Sequence, residues 1–318
     1  MHYHKEHGYD YQQFSFSTLV TSREFNTAIM PTGFRSNPNT QGAATEVLHD
    51  LAIEQLPRRQ RSGINFEKVR GASNELFSIT LRDIEAHSNH PFHGVDHAFE
   101  TSETFQLLIA LLADPITTLD EMLGLFACGA HDLRHSGFRY RQLSEVPNSE
   151  HQSNEEFAAA TFDSLISTHP DLDVIGAKER LKIQGAILAT SVGQLKPPTK
   201  DLFRPYKPHS KLETLVFLSD RLRFINSIEG HLKASITYVA ELSPKERPSS
   251  FKEWLCAETE YCEYLASIAR SYIYMFSKRG QQKVLKAVSK LGEVMAEVAT
   301  NGSARNRSVQ RAFEIAVS

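Results

Sequence analysis

Two short stretches of the chain concentrate imidazole and carboxylate side chains at spacings that suit metal binding. His93 and His97 are four residues apart, and His131 is followed directly by Asp132. Residues four apart share one face of a helix, so two such imidazoles can face the same ion. Neutral imidazole and carboxylate are donors that a divalent ion such as Zn, Mn, Fe or Mg accepts. The chemistry indicated by these residues is therefore that of a divalent-metal centre.

The pair His131-Asp132 ends a helix that the pattern predicts to be buried. A run of small residues, Ala127 to Ala130, precedes the pair and follows an apolar helical stretch. Small side chains let a neighbouring helix approach closely, so a histidine and an aspartate here are poorly solvated and need partners. A metal ion satisfies both, because imidazole supplies one ligand and a carboxylate can ligate one ion or bridge two.

Asp220, further along the chain, is also predicted to be a buried charge that needs a partner. It follows Leu212 and Val216 at four-residue spacing inside an apolar helical run, which places the three residues on one face. An unpartnered carboxylate there would be costly. One interpretation is a buried ion pair with an arginine, and the other is a metal ligand; beside the histidines we favour the ligand. The candidate arginines are Arg134, Arg221 and Arg223.

The spacing of His93 and His97 also indicates a division of labour. Pro91 and Gly94 suggest that a helix begins only at this point. His93 would then lie at the mouth of the helix and His97 deeper along it. This arrangement favours His97 as the ligand and leaves His93 free to transfer protons.

The elements that must position these residues are helices. From residue 44 onward the apolar spacing is helical nearly throughout, with no run of strands and no internal repeat. Four Ser/Thr-x-x-Glu capping boxes mark helix starts, and proline or glycine breakers separate the helices. We predict an all-α domain of roughly ten or more helices, the last two near 281–299 and 303–316. The predicted boxes are Thr118/Glu121, Ser153/Glu156, Ser210/Glu213 and Ser250/Glu253.

The pattern divides the chain into an N-terminal extension, residues 1–43, and an all-helical domain, residues 44–318. The extension is polar, rich in breakers and without periodicity, so we expect it to be loosely structured or packed on the surface. Its aromatic residues either tie the extension down or cover a partner chain, which leaves a homodimer open. These aromatic residues include Phe14, Phe16 and Phe25.

Composition excludes several classes of function. Hydrophobic residues make up 41% and charged residues 23% of the chain, as in a soluble globular protein. The formal net charge of -3 gives no reason to expect a nucleic-acid or membrane partner. No segment approaches the ~18 apolar residues of a membrane span. The three cysteines include no CxxC pair, so we expect neither a disulfide framework nor a thiolate zinc site, and a reducing, cytoplasmic location fits.

Four short boxes carry a resemblance to a known family. FHGVDHA (92–98), AHDLRHSG (130–137), ILATS (187–191) and LSDRL (218–222) occur in this order. They resemble the YHNxxHA, HDxxHPG and LATD boxes, and the box with the last metal aspartate, of HD-type metal-dependent phosphohydrolases. Within that family the chain is most similar to class I cyclic-nucleotide phosphodiesterase catalytic domains, over about residues 75–300. The resemblance implies a multi-helix HD-type bundle.

The resemblance also implies a role for each matching residue. Two divalent ions (Zn, Mg, Mn or Fe) would be held, with Asp132 bridging them. His93 would take the place of the general acid, and His135 and Glu100 would orient the ligands or bound water. The ligands of the first ion would be His97, His131, Asp132 and Asp220.

Several positions depart from the family pattern. Gly94 stands in place of an Asn, Ser191 in place of an Asp, and Tyr140 in place of the Asn after HPG. The purine-binding Gln has no counterpart in residues 258–272. The family has a Glu near the second ion. The residue that takes its place here is left open among four nearby candidates, Glu150, His151, Asn154 and Glu155.

The expected function is hydrolysis of a small-molecule phosphate ester. We expect a 3',5'-cyclic nucleotide such as cAMP or cGMP to be opened to the 5'-monophosphate by a metal-bridged hydroxide, with His93 as general acid. One alternative is a phosphohydrolase acting on a nucleotide monoester or another phosphorylated signal. The other is a non-catalytic, metal-binding domain that senses nucleotides.

Overall fold

The computed structural model describes residue 76 and residues 79–86, 90–136, 153–168, 175–191 and 208–317. Within these residues the chain is all-helical, as predicted, and no β-strand is present. The extension over residues 1–43 and the first part of the predicted domain, residues 44–75, lie outside the described residues. The α-helices of the described part are α1 (79–86), α2 (Val95–Leu111), α3 (Thr118–Ala130), α4 (Asn154–Thr168), α5 (Ala177–Leu188), α6 (Lys211–Arg221), α7 (Ile228–Glu241), α8 (Phe251–Ser271), α9 (Lys278–Ala299) and α10 (Ala304–Val317).

Side-chain caps begin several helices at the predicted places. Ser153 Oγ accepts from the Glu156 amide at 3.0 Å, and the Glu156 carboxylate accepts from the Ser153 amide at 2.9 Å, which completes a capping box. The Ser210 and Ser250 hydroxyls cap α6 and α8 by accepting from the amides of Glu213 and Glu253, whose carboxylates accept from the amides of His209 and Ser249. These three predictions are confirmed.

The fourth predicted cap was wrong by one residue. Thr117, not Thr118, is the N-cap of α3, and its hydroxyl accepts from the amide of Asp120 rather than of Glu121. Both neighbouring pairs fit the Thr-x-x-acid pattern, so the sequence alone did not distinguish them. The last two helices, predicted near 281–299 and 303–316, are confirmed within three residues as α9 and α10.

Helix α3 lies at the centre of the fold and contacts α2, α5 and α6. Every residue from Met122 to Ala130 is buried. A Cβ atom at Gly124 would lie 2.0 Å from Cζ of Phe105, so the Phe105 ring of α2 occupies the space that a side chain at position 124 would need. The small residues at 127–130, which the sequence predicted to be buried, are buried.

The end of α2 is joined to the segment between α8 and α9. Leu112 and Phe276 form an isolated antiparallel bridge, and the amides of Ala113 and Ser277 donate to the carbonyls of Met275 and Leu111 at 3.0 and 2.9 Å. A Cβ at Gly280 would lie 2.4 Å from the carbonyl oxygen of Leu111, so the start of α9 is pressed against the end of α2. The N-terminal and C-terminal helices thus share one hydrophobic core.

The C-terminal helices complete the bundle. Helix α7 packs against α10, and α8 packs against α9. Helix α9 buries one stripe, which includes Val284, Val288 and Leu291, and exposes the rest. Among the described helices, none is long and apolar enough to cross a membrane.

Candidate metal centre

Helix ends bring the predicted donors to one place. Helix α2 begins at Val95 with Gly94 as its N-cap, so His93 precedes the helix and His97 lies in its first turn. At the other side, His131 is the C-cap of α3 and Asp132 follows in the next turn. The inference from Pro91 and Gly94 that a helix begins here is confirmed.

Asp220 completes the group from the last turn of α6. Because α3 packs against both α2 and α6, the first turn of α2, the last turn of α6 and the end of α3 meet. Nε2 of His97 lies 3.1 Å from Nε2 of His131, 3.2 Å from Oδ1 of Asp220 and 3.3 Å from Oδ2 of Asp132. Nε2 of His131 lies 3.3 Å from Oδ2 of Asp132 and 3.7 Å from Oδ1 of Asp220.

His97, His131 and Asp220 have separations close to those that a single divalent ion requires, and Asp132 lies 3.3 Å from both imidazole nitrogens. These four donors are hereafter the candidate metal centre. Metal–nitrogen and metal–oxygen bonds of about 2.0–2.2 Å place neighbouring donors about 3–3.5 Å apart in octahedral or tetrahedral geometry. The observed distances of 3.1–3.7 Å fall in or near this range. The side chains of His97, His131 and Asp132 are at most 7% exposed, and that of Asp220 is 14% exposed. The set is therefore preorganised, buried and open mainly at Asp220.

The hydrogen bonds of His131 leave the correct nitrogen available. Nδ1 of His131 lies 2.7 Å from the carbonyl oxygen of Cys128, which can only accept. Nδ1 therefore carries the proton and donates, and Nε2 keeps its lone pair for an ion. This backbone contact fixes the tautomer and the ring orientation of a ligand histidine.

His97 is held differently, by Arg223 and Glu100. Nη1 of Arg223 lies 2.9 Å from Nδ1 of His97 and 3.2 Å from Oε2 of Glu100. A guanidinium only donates, so Nδ1 of His97 accepts here and Nε2 carries its proton toward Asp220. Binding of an ion at Nε2 requires the proton to reside on Nδ1 instead, which in turn requires Arg223 to turn away from Nδ1. Burial, and then the charge of Arg223, lower the pKa of His97 to about 4, so the ring is neutral, as a ligand must be.

A second tier of titratable groups lies beside the donors. Nδ1 of His93 donates to Oε1 of Glu241, the last residue of α7, in a short hydrogen bond. The other oxygen of Glu241 accepts from the amides of Phe92 and His93 at 2.9 and 3.0 Å. The ring of His93 stacks on the ring of His135 at a centroid distance of 3.6 Å. Glu241 thus fixes both the ring of His93 and the backbone that leads into α2.

The charges of this tier favour a protonated His93. Burial alone would lower the pKa of His93, but the carboxylates of Glu241 and Asp132 outweigh it and raise the pKa to about 9. Burial alone would likewise raise the pKa of Glu241, but the charge and hydrogen bond of His93 lower it to about 2. The pair is therefore an imidazolium and a carboxylate at neutral pH, and the cation lies next to the candidate metal centre.

Asp132 lies between the two tiers. Burial alone would raise the pKa of its carboxyl, but the imidazoles of His131 and His93 hold that pKa well below its usual range. His97 and His135 act in the same direction. A carboxylate in this position faces both groups of histidines, which is the placement that a bridging ligand needs.

Asp220 also forms the ion pair that the sequence offered as the alternative. Its Oδ2 pairs with Nη1 of Arg221, and Nη2 of Arg221 donates to the carbonyl oxygen of Thr190 at 2.7 Å. Burial alone would raise the pKa of Asp220, but Arg221, followed by the histidines, lowers it well below the usual value. The two interpretations coexist, since one oxygen faces Arg221 and the other faces His97 and His131.

His135 is placed where the resemblance expects it, beside the donors. Its Nε2 accepts from Nδ2 of Asn154 at 3.0 Å, and Oδ1 of Asn154 accepts from Ser136. Asn154, one of the four candidates for the second ion, therefore positions His135. Of the other candidates, Glu150 and His151 lie outside the described residues, and Glu155 has no hydrogen bond or ion pair to the four donors among the described residues.

Sequence reasoning missed Glu241 and gave Arg223 a different partner. Glu241 lies more than a hundred residues from His93 and has no motif around it. Its only local sign is its position just before the breaker Ser243-Pro244, at the end of a helix. Compared with models of known protein families and with curated proteins, the sequence shows no match, so the four boxes alone carry the resemblance.

Proposed function

We propose that the chain is an HD-type metal-dependent phosphodiesterase that hydrolyses a 3',5'-cyclic nucleotide to the nucleoside 5'-monophosphate. One observation carries the proposal. Four neutral-imidazole and carboxylate donors converge at 3.1–3.7 Å, with an imidazolium, His93, held beside them by a buried carboxylate. A domain that only binds a metal needs the donors, but it does not need an acid positioned beside them as His93 is.

The donor types suit divalent ions of the borderline or hard class, and two such ions are part of the proposal. His97, His131, Asp132 and Asp220 would hold the first, and Asp132 would reach toward the second. When bound, such ions neutralise phosphoryl oxygens and lower the pKa of water, so that a nucleophile is present at neutral pH. Asp132 and Asp220 remain ionised across the physiological range, because neighbouring cations hold their pKa values low.

His93 supplies the proton that the leaving oxygen needs. Attack of water on phosphorus forms one P–O bond and breaks the bond to the ribose 3' oxygen, which departs as a poorly stabilised alkoxide unless it is protonated. Nδ1 of His93 is occupied by Glu241, so Nε2 is the atom that transfers the proton. Glu241 keeps the imidazole charged until the transfer and holds the ring in place.

Glu100 and His135 orient this machinery. Nη1 of Arg223 contacts both Oε2 of Glu100 and Nδ1 of His97. The ring of His135 stacks on that of His93. Both are positioning residues in this proposal. The substrate is proposed to be a small phosphate ester, because the described donors and acid act on the phosphate alone.

The experiment compares two chromogenic substrates on the full chain reconstituted with Zn, Mn, Fe or Mg. Turnover of bis-p-nitrophenyl phosphate, together with conversion of cAMP or cGMP to the 5'-monophosphate, supports the proposal. Turnover of p-nitrophenyl phosphate alone supports a monoesterase instead. Bound metal without turnover of either substrate supports a non-catalytic domain. Absence of bound metal under all four conditions overturns the metal centre itself.

A further inference from the structure

A second group of potential metal ligands lies between α7 and α8, away from the residues used above. It consists of His231, Glu258 and Cys262, hereafter the α7–α8 cluster. All three residues are buried, with His231 4% and Glu258 6% exposed. Glu258 and Cys262 are four residues apart on one face of α8, and His231 approaches them from the first turn of α7.

The three donor atoms have separations close to those of a tetrahedral zinc site. Nε2 of His231 lies 2.9 Å from Oε1 of Glu258, and Sγ of Cys262 lies 3.5 Å from that oxygen and 3.7 Å from that nitrogen. Zinc bonds of about 2.3 Å to sulfur and about 2.0–2.2 Å to nitrogen and oxygen give tetrahedral edges of about 3.3–3.6 Å. Small shifts of side chains would meet this geometry.

A hydrogen-bond chain behind Glu258 fixes its carboxylate. Ser235 donates to Oε2 of Glu258, and Nε1 of Trp254 lies 3.3 Å from the Ser235 hydroxyl, to which it donates. The ring of Tyr261 stacks near that of His231, with centroids 6.3 Å apart. Oriented carboxylates and stacked imidazoles of this kind are the outer layer that tunes metal ligands.

The charge balance of the α7–α8 cluster also favours a cation. Within the described part of the chain, Glu258 pairs with no lysine or arginine, and its one ion-pair partner is His231. Sγ of Cys262 donates to Oε1 of Glu258 at 3.5 Å, so the same oxygen faces both His231 and the thiol. A divalent ion would release that proton to solvent and bond the thiolate.

We propose that His231, Glu258 and Cys262 form a zinc site that ties α7 to α8, with a water as the fourth ligand. The proposal departs from the sequence expectation of no thiolate zinc site. That expectation rested on the lack of a CxxC pair. The donors proposed here come from two different helices, and His231 and Glu258 are 27 residues apart in the sequence. The mixed nitrogen, oxygen and sulfur set suits a borderline ion such as zinc better than magnesium or calcium.

Cobalt(II) tests the site, because a cobalt–thiolate bond gives an intense near-ultraviolet charge-transfer band that nitrogen and oxygen ligands do not give. The full chain is stripped with a chelator and titrated with cobalt alone. We expect the band to rise to a plateau once cobalt has filled the sites of the chain, with an intensity that corresponds to one cobalt–thiolate bond per chain, and an excess of zinc to abolish it. The four donors of the candidate metal centre include no sulfur, so the band reports the α7–α8 cluster separately.

Variants assign the band to its ligands. Cys262→Ser should lose it completely, and His231→Gln, which keeps the cysteine, should weaken cobalt binding at least tenfold. Cys128→Ser and Cys256→Ser, one buried and one exposed, should retain it, and so should Asp220→Asn. Circular dichroism of the metal-free variants checks that each is folded. A wild-type chain without the band, or a band that survives Cys262→Ser, overturns the proposal.

Discussion

Among the described residues, the candidate metal centre and the α7–α8 cluster are built in different ways. The candidate metal centre takes its donors from helix ends: the first turn of α2, the C-cap of α3 and the last turn of α6. The α7–α8 cluster takes His231 from the first turn of α7, but Glu258 and Cys262 from inside a long helix. Helix ends therefore supply the donors of the first group, and a packed helix interior supplies two of the three donors of the second.

This difference in construction gives a difference in access. In the first group, the side chains of Asp220 and neighbouring His93 are 14% and 16% exposed, so a substrate can approach them. In the second, His231 and Glu258 are 4% and 6% exposed and covered by aromatic rings. We therefore infer chemistry at the first group and cross-linking of helices at the second.

Asp220→Asn should separate the two groups most sharply. Asparagine keeps the shape of the side chain but removes the charge that an ion at His97 and His131 needs. We expect the candidate metal centre to lose its ion and hydrolysis to fall to background, measured by elemental analysis and turnover. Cobalt binding at the α7–α8 cluster should be unchanged. Asp163→Asn, on a half-exposed surface pair with Arg180, is the matched control. Full occupancy and turnover in Asp220→Asn would contradict the assignment.

His93→Gln should divide the first group into ligands and acid. The variant should keep its ion, because His93 is not one of the four donors, but lose about 10²–10⁴-fold in kcat on a cyclic nucleotide. The loss should be much smaller on bis-p-nitrophenyl phosphate, whose nitrophenolate leaves without a proton. The exposed His209→Gln serves as control. An equal loss on both substrates would show that His93 does not act as the acid.

Glu100→Gln tests how the first group prepares its ligands. Glu100 accepts from the same Nη1 of Arg223 that contacts Nδ1 of His97, and glutamine would hold that guanidinium less strongly than an anion does. We expect ion affinity to fall about 10–100-fold, measured by competition with a chromophoric chelator. Glu103→Gln, one turn further along α2 and bonded to Asn226, should not change it. Equal effects of the two variants would indicate a general change in charge.

Ser235→Ala should have the smallest effect and should confine it to the second group. The change leaves Oε2 of Glu258 and Nε1 of Trp254 without the hydroxyl that joins them. We expect the free energy of unfolding to fall by about 1–3 kcal/mol, measured by urea denaturation of the metal-free chain. Ser243→Ala, which removes an exposed contact to Glu246, should change it by about 0.5 kcal/mol or less.

Local signals explain which parts of the structure the sequence predicted. The all-helical fold and most helix starts follow from apolar spacing and capping residues that act within four positions, as Ser153 and Glu156 do. The candidate donors could be named because His97 lies near a helix start that the sequence indicates, His131-Asp132 follow a run of small residues, and Asp220 lies on an apolar helix face. Their convergence depends on the packing of α3 against α2 and α6, and only the resemblance anticipated it.

Glu241 and the α7–α8 cluster were missed for a physical reason. The end of α7 meets His93 only because the chain folds back across about 150 residues, and no local spacing records that contact. Glu258 and Cys262 have the ordinary spacing of a helix face, and their chemistry depends on His231 from another helix. Contacts that arise from tertiary packing alone are not recoverable from periodicity.

The joint between the end of α2 and the start of α9 has a mechanical consequence. Helix α2 carries His97 in its first turn and, about 21 Å away along the helix axis, the Leu111 carbonyl that accepts from Ser277. We therefore expect a displacement of the C-terminal helices to shift α2 along its length, including the imidazole of His97 at its opposite end. The rates of hydrogen–deuterium exchange of the Ala113 and Ser277 amides would report how often the hydrogen bonds of this joint open.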